Sequence, residues 1–244
     1  MFLSSPPTAS ITILDNLDQP PGPLLYNDIQ FFAYKRSAEH PEPRTHSCID
    51  FTIFLLNLLG YEGGHRLLGL WAKEPFLMAG RRIIANIDLF LMKLDELRIN
   101  EYILIVHEHK HSNQNPQATV IAKAIVALEH NNCKRVKAGL QRLPDKEIYA
   151  IVMKRTAPIF YRVHVTTALV DALATSAYPQ EETLVLRFIP PVPNQQLYSA
   201  EGMHPLANRR SVSQCLEGSC TRYVNHNRRK GIFIGRLPVL FIVR

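Results

Sequence analysis

The sequence predicts an α/β (α+β) domain, a central mixed β-sheet flanked by helices. Three observations carry this. Strand-like runs bracket helical ones along most of the 244 residues. Two pairs of strand-like runs, 81–94 with 101–110 and 147–155 with 159–165, are close enough in sequence to form hairpins. The run from Tyr102 to Val106 is apolar at every position, as a strand buried on both faces must be.

Residues 1 to about 25 contain five prolines, and "HPEPRTH" (40–46) is a second breaker-rich stretch. The expectation is a poorly ordered lead-in over 1–44, a domain over 45–215 and a basic, atypical tail over 216–244. In "SCIDFTIFLLNLLGYEGG", Phe51, Phe54, Leu55, Leu58 and Leu59 follow helical spacing. Ser47 is the expected cap, Asp50 lies in the first turn and Gly60 is the stop. "HRLLGLWAK", "RRIIANIDLFLMKL" and "EYILIVHEHK" read as three strands.

Asn115-Pro116 opens the helix "PQATVIAKAIVALEHNN", with Val120, Ile121, Ala124, Ile125 and Leu128 inward and the Asn pair at its end. "EIYAIVMKR" and "IFYRVHV" make a hairpin, "TTALVDALATSAY" a helix, and "EETLVLRFIPPVP" a strand stopped by prolines. From Met203 a helix is expected, interrupted at "EGSC". No repeat occurs at a fixed period.

The net charge of +7 invites a nucleic-acid reading. Its distribution qualifies that reading. Residues 205–244 hold eight Lys/Arg and one acid, Glu217, whereas residues 1–204 balance at 20 of each sign. The four cysteines (Cys48, Cys133, Cys215, Cys220) form no CxxC pair, which argues for free thiols rather than a zinc knuckle. The N-terminus lacks the pattern of a signal peptide, and "FTIFLLNLLGY" is too short to span a bilayer. An intracellular protein of cytoplasm or nucleus is therefore expected, with no membrane partner.

Chemistry concentrates in "YILIVHEHKHSNQNP". Side chains alternate along a strand. One face presents Tyr102, Leu104, Val106, Glu108 and Lys110, and the other Ile103, Ile105, His107, His109 and His111. Three alternate histidines suit zinc or copper, but the third is too far along the strand to close on one ion. Histidines at a strand end are more often polar residues at the water boundary. Glu108 and Lys110 at the end of a buried strand suggest a divalent cation with an anionic substrate between them. A second carboxylate is then required, and Asp88 in "IIANIDLFLM" is the candidate. A turn near Glu96–Arg98 sets it opposite His107 to Glu108. The bland alternative is that Asp88 ends a strand and Glu108 with Lys110 is a surface pair.

Asp88 followed by Glu108-His109-Lys110 resembles the PD-(D/E)XK nuclease-like superfamily. The order of "DFTIFLLNLLGY", "NIDLFLM", "YILIVHEHKH", "NPQATVIAKAIVALEHNN", "TAPIFYRVHVTTALVDAL", "YPQEETLVLRF" and "EGMHPLANRRSVSQC" is similar to an uncharacterised group of such proteins abundant in mushroom-forming fungi. The resemblance runs from about 48 to 215. It implies a restriction-endonuclease-like sheet and a magnesium-dependent phosphodiester hydrolase acting on DNA or RNA. Asp88 and Glu108 would hold the magnesium and Lys110 would orient water, as the physics of metal-assisted attack requires. Asp50 is a possible helper. Lys123 departs from the group, which tends to carry an acid near that position. The alternative is the same fold without turnover, binding nucleic acid or protein. A histidine metal protein using His107, His109 and His111 is the third reading.

Other residues have bland readings beside functional ones. His164 reads as a polar strand-edge residue, and "NRRK" (227–230) as a solvated basic stretch that could also contact phosphates. Trp71 and Tyr102 could stack on bases, though single aromatics beside apolar runs are usually core. Arg209 and Arg210 could reach a phosphate backbone.

Overall fold

The computed structural model describes residues 9–41, 46–94, 100–109, 115–225 and 240–243, with side chains through 219. Along the chain come α1 (Ile11–Asp15), α2 (Tyr26–Glu39) and α3 (Ser47–Leu58). The strands β1 (Arg66–Met78), β2 (Arg81–Leu94) and β3 (Asn100–Glu108) follow, then α4 (Pro116–Lys137). The hairpin β4 (Asp145–Lys154) and β5 (Ala157–Thr166) leads into α5 (Thr167–Thr175) and β6 (Thr183–Phe188). The short α6 (Tyr198–Glu201), α7 (Leu206–Asn225) and β7 (Leu240–Val243) complete the set.

The strands line up in sequence order, β1 to β6, with β7 antiparallel beside β6. The sheet is mixed, with one parallel pair, and helices flank it. β1, β2 and β3 form an antiparallel meander. The register between β2 and β3 steps from Leu91↔Leu104 to Met92↔Tyr102, so Ile103 is an extra residue in β3. Such a bulge strands backbone groups. Here Asn131 of α4 takes them up: its amide oxygen accepts from Tyr102 N at 2.7 Å and its Nδ2 donates to Tyr102 O at 3.0 Å.

Two compact units divide the chain. One is drawn from Met1–Gly63, Met153–Pro158 and Ile189–Arg236. Its core includes Phe31, Phe32, Phe51 and the side chain of Arg209. The other takes Gly64–Val152, Ile159–Phe188 and Leu237–Arg244 and carries nearly all of the sheet. Its core packs α4 and α5 onto β2–β6 through Phe90, Tyr102, Val120, Leu128, Val163 and Val185, among others.

Four expectations change. Residues 1–44 are not all lead-in: α1 and α2 occupy that span, with Ile13, Phe31 and Phe32 buried. The prolines at 20, 21 and 23 only separate the two helices. Ser47 does not cap α3. His46 holds the N-cap position at φ 77°, and Ser47 Oγ instead accepts from Ser37 Oγ. α4 continues past Asn131 and Asn132 to Lys137, because both amides bond backbone outside the helix and do not compete with it. α7 runs unbroken through "EGSC". Burial of Leu216 and the Tyr61 hydroxyl bond to Leu216 O offset the cost of a helical Gly218. Gly60 does stop α3, at φ 72°. Among the described residues no helix is long and apolar enough to cross a membrane.

Candidate functional site

β2 and β3 deliver the residues that the sequence singled out. Continuing the register Leu89↔Val106 sets Asp88 opposite His107. Phe90 and Met92 of β2, with Tyr102 and Ile105 of β3, join the apolar cluster under α4. Leu89, Leu91, Leu104 and Val106 are fully buried outside that cluster, as alternation requires. His107 continues the face of Ile105, whereas Glu108 is in step with Leu104 and Val106.

Ile87 also belongs to the cluster under α4, so β2 changes phase between Ile87 and Phe90. Asp88 lies at that change. Across the β1–β2 ladder, Leu70 pairs with Leu89 and Ala72 with Ile87, so Trp71 stands opposite Asp88. Trp71 has φ 57°, a left-handed conformation that is costly for a bulky residue. Asp88 keeps the phase of Phe90 and Met92, so its carboxylate faces α4, and the change of phase falls between it and Ile87.

There Asp88 Oδ2 meets two cationic or polar nitrogens. Lys123 Nζ donates to it at 3.0 Å, and His107 Nδ1 lies 3.0 Å away. The backbone N–H of Glu108 donates to the same oxygen at 3.3 Å. Lys123 Nζ and His107 Nδ1 are themselves 3.0 Å apart. With Nδ1 protonated, both nitrogens donate to the carboxylate, and Nε2 of His107 has no hydrogen-bond partner among the described residues.

The electrostatics follow from burial. Desolvation alone would raise the Asp88 pKa, but the His107 hydrogen bond and the Lys123 charge outweigh it and hold the carboxyl at about 2. Burial in turn pushes the Lys123 ammonium below its usual range, with Asp88 opposing. A second polar set braces the same helix. Glu74 of β1 accepts from the Tyr102 hydroxyl at 2.7 Å and lies 2.8 Å from His130 Nδ1. Burial and the neighbouring Glu74 both raise the Tyr102 pKa.

The residues nominated from sequence therefore divide. Asp88 and the backbone of Glu108 meet at the end of β3. Lys110 and His111 lie outside the described residues, as does "NRRK" (227–230). Asp50 belongs to the other compact unit, in the first turn of α3. Arg209, expected as a possible phosphate contact, is fully buried. Its guanidinium donates to the carbonyls of Ile13, Asn16, Leu17 and Met203. Arg210 pairs instead with Asp15 at 2.6 Å. Tyr102 is core and Trp71 is 46% exposed, so the two aromatics part company.

From sequence Lys123 reads only as a departure. The available signal was its position: three after Val120 and four before Ala127, it sits within the buried stripe of α4. A lysine there needs a buried anion.

As a magnesium site the described group fits poorly. Magnesium takes hard oxygens. The α4 face offers one carboxylate, an imidazole and an ammonium, and the ammonium already holds the carboxylate oxygen. Compared with known proteins, the chain matches no family model and no curated protein.

Proposed function

We propose that this chain is a nuclease-like module that binds nucleic acid without cutting it. The observation that carries the reading is the Lys123 ammonium 3.0 Å from Asp88 Oδ2. A fixed internal cation neutralises the carboxylate that would otherwise recruit a divalent metal. Entry of magnesium at that oxygen would require the ammonium to leave a buried position, against Coulomb repulsion. Without a metal there is no acidified water to attack a phosphodiester. The order of segments and the mixed sheet are what link the chain to the PD-(D/E)XK nuclease-like fold.

A second reading has its own support. The Glu108 backbone N–H donates to Asp88 Oδ2 at 3.3 Å, which brings Glu108 up to the Asp88 carboxylate, and Asp88 stays ionised throughout the physiological range. In this reading Asp88 and Glu108 hold magnesium, Lys110 orients water, and the protein hydrolyses DNA or RNA. The two are separated by incubating purified protein with plasmid, single-stranded DNA and RNA, with magnesium and with EDTA. The module reading expects binding in EDTA and intact substrates in magnesium. Magnesium-dependent cleavage that Asp88→Asn and Lys110→Ala abolish would establish the hydrolase instead.

A further inference from the structure

The β1–β2 ribbon has a face that the core does not use. Its distal half alternates strictly. Ala72, Glu74 and Phe76 are half-buried, while Trp71, Lys73, Pro75 and Leu77 are exposed. On β2 the cross-strand partners of the last three, Asn86, Ile84 and Arg82, are exposed as well. The outward face is thus a ladder of Lys73/Asn86, Pro75/Ile84 and Leu77/Arg82, headed by Trp71. At about 3.4 Å per residue it runs for roughly 20 Å.

The charge on this ribbon has one sign outward. From Arg66 to Ile87 the sequence holds four basic residues, Arg66, Lys73, Arg81 and Arg82, and one acid, Glu74. Glu74 points inward to the Tyr102 hydroxyl and His130. The ribbon is also anchored at its tip, where Ala79 N and Gly80 N donate to the carbonyls of Leu173 and Ala174 at the end of α5, both at 2.8 Å. The face is therefore fixed before any partner arrives, which reduces the ordering cost of binding.

Trp71 is the chain's one tryptophan and is 46% exposed. Its backbone at φ 57° is a strained conformation for a bulky residue, and such strain persists where the surroundings impose it. A large aromatic held out of the core in a strained conformation, at the head of a cationic strip, has the form of a base-stacking platform.

We propose that the outward face of the β1–β2 ribbon binds single-stranded nucleic acid. Trp71 stacks on a base, Lys73 and Arg82 contact phosphates, and Leu77 and Ile84 cover sugar and base edges. A second copy of this chain would bring the same cations together, so the charge disfavours self-pairing. A stacking tryptophan needs an unpaired base, which selects single strands over duplex. The inference rests on the binding-module reading and names where that module grips.

The test is titration of full-length protein with labelled oligo-dT, oligo-U and a DNA duplex, read by anisotropy and by the fluorescence of Trp71. Wild type should bind the single strands with quenching of Trp71 and bind duplex more weakly. Trp71→Ala should weaken single-strand binding by about 5- to 150-fold, with Trp71→Phe between the two. The charge reversals Lys73→Glu and Arg82→Glu, on exposed side chains that leave the fold intact, should each lower the salt slope by about 0.7. Arg36→Glu on α2 should change nothing. Binding that survives all three ribbon substitutions overturns this proposal and leaves the module reading standing. No binding by wild type overturns both. Poly-glutamate binding with the same dependence on Trp71 and Arg82 would make the occupant an acidic polypeptide and overturn the nucleic-acid assignment.

Discussion

Lys123 Nζ and Asp88 Oδ2 stand 3.0 Å apart, a helix ammonium closing on a strand carboxylate 35 residues earlier in the chain. The pair is mostly buried, with side-chain exposures of 8% and 21%. Neither group can be removed without leaving the other in poor solvation. Each single change, Asp88→Asn or Lys123→Met, should therefore destabilise by about 1–3 kcal/mol, below the range for fully buried pairs because Asp88 touches solvent. The double variant should cost less than the sum, with a coupling of about 1–2 kcal/mol in urea unfolding. Strict additivity would mean that the two groups do not act as a pair.

The same pair sets an acid limit. Asp88 titrates at about 2 when folded and at 3.8 as an ordinary carboxyl, so the unfolded chain binds its proton first. A depressed folded pKa gives stability that is present above 3.8 and is lost as pH falls toward 2. The drop corresponds to ~2 kcal/mol, and partial exposure reduces the expected contribution to about 1–2 kcal/mol. Wild type should therefore exceed Asp88→Asn in stability at pH 6, and the gap should close between pH 4 and pH 2. A gap that is constant over that window would show that the carboxylate's charge contributes nothing to stability.

Much of this was legible in the sequence. The apolar runs in 81–94 and 102–106 located β2 and β3, and the link between them was short enough to set Asp88 opposite His107 to Glu108. The helical stripes of α3 and α4 were equally plain, because their apolar spacing is dictated by the face they bury. What could not be read was the change of phase in β2 between Asp88 and Ile87. It depends on a cross-strand irregularity at Trp71, and nothing local in "LGLWAKE" announces a left-handed tryptophan. A change of phase decides which face a side chain takes. The Asn pair of α4 misled for a related reason. Asn131 and Asn132 resemble a helix stop until their distant backbone partners are known. Prolines likewise suggested disorder before α2, where the burial of Phe31 and Phe32 decides the matter.

Arg209 offers the sharpest test of the other compact unit. Its side chain is fully buried and lies over the rings of Phe31 and Phe32, 5.5 and 5.8 Å from their centroids. Around it converge the carbonyls of Ile13 and Asn16 at the end of α1, Leu17 just beyond, and Met203 and His204 before α7. Burial pushes the guanidinium pKa down, with Glu39 and Asp18 opposing from a distance. Carbonyl dipoles thus provide its close solvation, and the planar fork of five N–H groups is what lets one side chain reach them all. Lysine keeps the charge but has three donors on a single nitrogen, so several carbonyls would be left buried without a donor. Arg209→Lys should cost about 2–4 kcal/mol, and Arg209→Met at least as much, because methionine satisfies none of the carbonyls. Its neighbour provides the control. The Arg210–Asp15 pair is half exposed on both sides, so Arg210→Ala should change stability by less than about 1 kcal/mol. Urea unfolding followed by circular dichroism gives the three values, and hydrogen exchange at Leu14, whose amide bonds to Ser10 O in α1, reports the local loss. A lysine variant as stable as wild type, with Leu14 equally protected, would mean that the carbonyl cradle is satisfied some other way and that Arg209 does not tie α1 to α7.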